Sequence, residues 1–258
     1  MFRRIRILIL LLILLFVGLG AVLDRFYGTR WDAPFVVALY ASNGDGGTVA
    51  EKYVNTLTLA DFAPLEKFFQ DEAREYGVKL DRPVQITFAG HMTELPPLPP
   101  RQSSNVVSIM MWSLHFRWWA WGTPPKPPGP TPRIRIFLLF YDPEHNSVLP
   151  HSTGLAKGRL GIAHIFADKQ AAGSNQTVVA HELLHTLGAT DKYDLSTTQP
   201  RYPEGFAEPG AMPRFPQRFA ELMAGRIPIS AREANIPASL DEVLIGPATA
   251  AEIGWKTR

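Results

Sequence analysis

The sequence predicts an α+β domain, and three observations carry that expectation. Four apolar runs of strand length, at 35–41, 83–89, 133–141 and 161–167, are separated by turn-forming stretches. Two other segments, 61–76 and the run leading into 181–187, carry helical patterns instead. The chain has 258 residues, 46% hydrophobic and 19% charged, which suits one globular domain over 24–258 once an N-terminal segment is set aside.

That segment comes first in the chain. Arg3, Arg4 and Arg6 precede an uncharged run from Ile7 to Leu23. Residues 1–23 are expected to form an uncleaved transmembrane anchor, with Ile5 and a snorkelling Arg6 extending its reach. The alternative is a cleaved signal peptide, for which Gly18-Leu19-Gly20 is the best cleavage site. Either way the arginines are expected to hold the N-terminus in the cytoplasm and place the domain in a periplasm or outside the cell. Net charge is only +2 and no basic run follows, so nucleic acid is not expected as a partner. Cysteine is absent, which excludes disulfides, thiolate ligands and a cysteine nucleophile.

Phe35 to Ala41 reads as the first strand. The loop at 42–47 has neither GxGxxG nor a P-loop lysine and is expected to be a plain turn. Asp61 can cap a helix running to about Tyr76, with Pro64 in its first turn and Gly77 at its end. Its Phe62, Leu65, Phe68, Phe69, Ala73 and Tyr76 share one broad face. In 83–89, Val84, Ile86 and Phe88 alternate with polar or small residues, as a strand requires.

Residues 95–132 hold two proline clusters. Between them Ser103 to Gly122 carries Trp112, Trp118, Trp119 and Trp121. This stretch reads either as a core-packing helix or strand, or as an aromatic surface at a bilayer interface. Composition does not separate the two. Strands are expected at 133–141 and 161–167. His145, His151 and His164, with Asp142, show no ligand spacing and read as ordinary loop and strand residues, as do His91 and His115.

The chemistry is concentrated in His181-Glu182-Leu183-Leu184-His185-Thr186-Leu187-Gly188-Ala189-Thr190-Asp191, an HExxHxxGxxD run. Residues i and i+4 of a helix share a face, so His181 and His185 can grip one metal ion. Glu182 is offset around the helix and can reach a water without ligating the metal. Ser174 to Ala180 offers a cap and a helical approach. Gly188 can take positive φ, end the helix and let Asp191 return as a third ligand. Two imidazoles, one carboxylate and an open position form a catalytic rather than a structural zinc arrangement.

This run resembles the metzincin zinc proteases, in the variant where Asp replaces the third His, as in snapalysin-like enzymes. The resemblance implies a metzincin-like zincin: a twisted mixed sheet, an active-site helix, and a small C-terminal subdomain after a Met-turn. It makes the 161–167 strand the edge strand that pairs with substrate backbone. It makes Met223, before Ala224-Gly225, the Met-turn residue, with Met212 as the alternative. A closing helix is expected over 245–255, with Pro247 in its first turn. In the related gluzincins a later Glu is the third ligand; Glu204 and Glu208 stand in a loop-like passage, which leaves Asp191 the better candidate.

The function so implied is a membrane-anchored, zinc-dependent endopeptidase acting on peptide or protein substrates. Zn2+ is held by His181, His185 and Asp191, Glu182 is the general base, and Tyr193 or Tyr202 serves the oxyanion. The alternative is a catalytically silent, zinc-stabilised binding or scaffold domain.

Overall fold

The structure is a computed structural model and describes residues 5–7, 10–12, 15, 18–19, 30–100 and 105–255. In chain order its main elements are β1 (Phe35–Asn43), α1 (Thr48–Thr56), α2 (Ala63–Glu75), β2 (Val84–His91) and α3 (Val106–Gly122). There follow β3 (Ile134–Tyr141), β4 (Thr153–Leu155), β5 (Leu160–Phe166) and α4 (Ala172–Leu187). The C-terminal part carries β6 (Ala220–Glu221), β7 (Ile227–Pro228), β8 (Ala234–Asn235), β9 (Val243–Leu244) and α5 (Pro247–Glu252).

The central sheet has five strands in the order β2-β1-β3-β5-β4. β1 pairs parallel with β2 and β3, β3 pairs parallel with β5, and only β4 runs antiparallel. The sheet is therefore mixed and flanked by helices, consistent with an α+β chain. Phe35 to Ser42 is buried throughout, which explains why β1 reads as a continuous apolar run: both of its faces are covered. Alternate residues serve two cores. Val37, Leu39, Ile136, Leu138, Ala163 and Ile165 face α1, α2 and α4. Ala38, Tyr40, Phe137, Leu139, Leu160 and Ile162 face α3.

Several expectations need correction. The outer strand is β4, not the 161–167 strand: Thr153 to Leu155 pairs with Ile162 to Leu160 and covers that edge. Beyond β4, the His164 N–H donates to Ser152 Oγ, and Asn175 bonds both the N–H and the C=O of Phe166. Asp61 caps a 3-10 turn at Leu59–Phe62, in a capping box with Thr58, and α2 starts after it. α4 begins at Ala172, so the helix cap is not drawn from Ser174 onward. The tryptophan-rich stretch is a helix, α3.

The transmembrane anchor is also corrected. Much of 1–23 lies outside the described residues, and among those described no helix is long and apolar enough to cross a membrane. The described pieces of 1–23, none longer than three residues, are too short to cross a ~30 Å hydrocarbon core. A single-pass protein with a cytoplasmic N-terminus and a domain across the membrane is not supported.

Candidate metal centre

Helix α4 presents the two histidines as its sequence pattern requires. One face, with Val179, Ala180, Leu183, Leu184 and Leu187, is buried against the sheet. His181 and His185 lie one turn apart, ring centroids 4.7 Å from each other and nearly perpendicular. The helix stops at Gly188, where φ is 105° and ψ 4°. A side chain would be strained in that conformation. The Ala189 N–H then closes back on the Leu184 carbonyl at 3.0 Å.

The turn returns Asp191 to the helix. Its Oδ1 lies 3.1 Å from His181 Nε2 and 3.1 Å from His185 Nε2. Each imidazole uses its other nitrogen on a backbone carbonyl: His181 Nδ1 on Leu222 O and His185 Nδ1 on Ala189 O, both at 2.9 Å. A carbonyl oxygen only accepts, so both Nδ1 atoms must carry protons. Both Nε2 atoms then turn toward one carboxylate oxygen, and three lone-pair donors converge unless a cation or proton sits between them. A proton or a metal ion can fill that position. Burial pulls His181 down, but the Asp191 hydrogen bond, the Glu182 charge and the Leu222 carbonyl raise it to about 9. Burial pushes Asp191 up, yet bonds from both imidazoles hold it far below the usual carboxylate range. A divalent metal would replace that proton. Two imidazoles and a carboxylate with carbonyl-oriented rings form a donor set that fits zinc.

Glu182 completes the cluster. One ligand-type atom from each of His181, Glu182 and His185 lies within 4.8 Å of the others. Its Oε2 is buried with no hydrogen-bond partner among the described residues. Burial raises its carboxyl, with the two imidazoles pulling the other way. A buried, unsatisfied carboxylate beside a metal-type cluster fits a group kept free to take a proton. Strand β4 closes the other side: a Cβ on Gly154 would fall 2.4 Å from His185 Cβ and 2.7 Å from the Glu182 carbonyl oxygen. Only glycine allows the edge strand to lie so close.

Sequence reasoning missed the residues that hold Asp191 in place. Lys192 is buried, its Nζ 2.7 Å from both Thr190 Oγ1 and Glu252 Oε1. Glu252, on α5, also accepts from the Thr190 N–H at 2.9 Å. The Arg201 guanidinium donates to the Asp191 carbonyl at 2.6 Å. Glu221 was missed as well. Fully buried, it accepts from the N–H groups of Ala224 and Gly246 and from the Thr249 hydroxyl. It thereby fixes the tight turn whose Leu222 carbonyl orients His181. The only sequence signal was a lone carboxylate inside the apolar run Phe219 to Ala224.

The other candidates fall into place. Met223 is fully buried in that turn, whereas Met212 is 92% exposed. Burial raises the Tyr193 hydroxyl, and the nearby Asp191 and Glu182 carboxylates raise it further. Tyr202 instead packs on Phe206 under Arg214. Glu208 pairs with Arg218 at 2.7 Å and Glu204 is exposed, so neither competes with Asp191. His145 pairs with Asp142, and His164 hydrogen-bonds Tyr141. No known family model matches the chain, and a comparison with curated proteins returns no match.

Proposed function

We propose that this domain is a zinc-dependent peptidase of the metzincin-like kind. The observation that carries the reading is the convergence of two carbonyl-oriented imidazoles on one Asp191 oxygen, with an unpartnered Glu182 carboxylate beside them. The closed turn around Met223 and the glycine-ended helix support the same reading.

His181, His185 and Asp191 would hold the ion. Zinc, when bound, lowers the pKa of water and polarises a carbonyl. Glu182 takes a proton from the attacking water and passes it to the leaving amine; its raised basicity suits both transfers. The Tyr193 phenol, close enough to feel the Asp191 and Glu182 charges, would donate to the carbonyl oxygen as charge develops there. An extended peptide would lie along β4, the last strand of the sheet, and add to it by backbone hydrogen bonds.

The test is cleavage of casein or a peptide library by the purified protein, with and without chelator, beside Glu182→Ala. Hydrolysis that is abolished by chelator, restored by zinc and lost in Glu182→Ala is expected. Stoichiometric zinc with no cleavage would favour the silent scaffold. Absence of zinc binding would remove both readings.

A further inference from the structure

Helix α3 turns a mainly apolar side to water. Its inner side, Trp112, Phe116, Trp119 and Ala120, packs on the sheet. Its outer stripe repeats at spacings of three and four through Val107, Met110, Met111, Leu114, Trp118 and Trp121. All six are more than half exposed, Trp118 at 72% and Trp121 at 81%. Single exposed apolar residues are ordinary, but a contiguous stripe along a whole helix marks a surface meant to be covered.

At the C-terminal end of that stripe lies a cavity of about 290 Å³. Arg117, Arg133, Arg135 and Arg159 line it together with Trp121, and no carboxylate is among its lining residues. Packing and a carbonyl hold these side chains in place. Arg133 and Arg159 stack on the Phe35 ring at 4.2 and 4.9 Å, and Arg135 donates to the Ala120 carbonyl. Arg117 Nε is buried without a hydrogen-bond partner among the described residues. Gly158 makes room for it, since a Cβ there would meet Arg117 Cγ at 3.2 Å. Four guanidiniums around one small cavity create a concentrated positive field, and their planar forks suit a phosphate.

We propose that the outer face of α3 and the four-arginine cavity at its end form one docking surface for a membrane rich in anionic phospholipid. The helix lies in the interface, its aliphatic residues entering the acyl boundary and its indoles resting at headgroup depth. The arginine cavity takes a lipid phosphate. Charge selects this occupant. A second copy docked face to face would bring the same arginines against each other, and a free anion would leave the apolar stripe in water. The surface is independent of the peptidase reading.

The chain has no cysteine, so Trp118→Cys gives the full-length protein a single labelling point for an environment-sensitive dye. On vesicles of phosphatidylcholine with phosphatidylglycerol the dye should shift blue, while the same dye on Leu195→Cys, in an exposed loop, should stay in water. Replacing Arg117 and Arg159 by Gln should weaken vesicle affinity roughly 30-fold, about fivefold for each charge, and the Lys pair should recover most of it. The response of the unsubstituted surface should also weaken as salt rises. The proposal is overturned by a dye at position 118 that stays in water while the protein floats with anionic vesicles. It is equally overturned by an equal shift on neutral vesicles, or by a shift that follows protein concentration without vesicles. Saturation by inorganic phosphate alone, with no vesicle response, would do the same.

Discussion

The two faces of the central sheet begin from the same alternating strands and are finished in opposite ways. On the α4 face the polar groups around the centre are satisfied one by one. Two ring nitrogens find carbonyls, Asp191 is held by the turn behind it, and in the cluster itself Glu182 Oε2 is left without a partner among the described residues. On the α3 face the inner half of a helix is buried and its apolar outer half is left in solvent. The candidate metal centre is thus built by removing alternatives until one polar atom is left without a partner. A docking face is built by leaving apolar surface uncovered.

The largest effect expected from breaking this contrast is at Glu182. Glu182→Gln keeps the shape and the histidines, so zinc content should be unchanged while peptide hydrolysis falls about 10²–10⁴-fold. Metal analysis beside turnover checks it, and a parallel loss of zinc would mean that Glu182 is a ligand.

Next in size is a pH effect from Glu72, on the same side of the sheet. It is buried on α2 and accepts the Ile245 N–H at 2.6 Å, tying α2 to the C-terminal segment. Burial raises its carboxyl to about 7, against the pull of that hydrogen bond. An acid raised on folding adds stability that is complete below its unfolded value near 4.5 and is lost as pH climbs through about 7. The swing is on the order of 3 kcal/mol. Urea unfolding across pH 4 to 8 should show that decline, and Glu72→Gln should flatten it.

A smaller change is expected where strand and helix touch. Gly154→Val puts atoms where His185 Cβ already lies. Overpacking of this kind costs about 1–3 kcal/mol. Zinc affinity should fall with it, because the strand must move off α4. A variant that unfolds at the wild-type urea midpoint would show that β4 is not packed as described. The smallest effect belongs to the other face: Trp118→Ser should change unfolding free energy by less than about 0.5 kcal/mol, since its ring is 72% exposed.

Much of this was legible in the sequence because it is local. The spacing of His181, Glu182 and His185 on one helix and the glycine stop at 188 need only a few consecutive residues to be recognised. The strands at 35, 84 and 134 showed through their buried, β-branched runs. What was missed is either short or distant. β4 has three residues and no alternation to read, so β5 was taken for the edge. Thr48 to Thr56 forms α1 with no side-chain cap to mark its start, and it was not foreseen. Lys192 and Glu252 meet across 60 positions of sequence, and Glu221 meets Thr249 across 28; such pairs leave no periodic trace. The double role of the tryptophans was unreadable for a related reason. Trp112 and Trp119 point inward and Trp118 and Trp121 outward, and composition counts all four alike.

The central claim is that Asp191 joins His181 and His185 around one dication. Zinc-edge X-ray absorption on the protein after zinc loading and dialysis, compared with Asp191→Ala, tests it most directly. The account predicts one zinc per chain with two imidazoles and an oxygen donor in its shell, and loss of stoichiometric zinc in the variant. A protein that retains no zinc, or a spectrum that is the same with and without the Asp191 carboxylate, would contradict it.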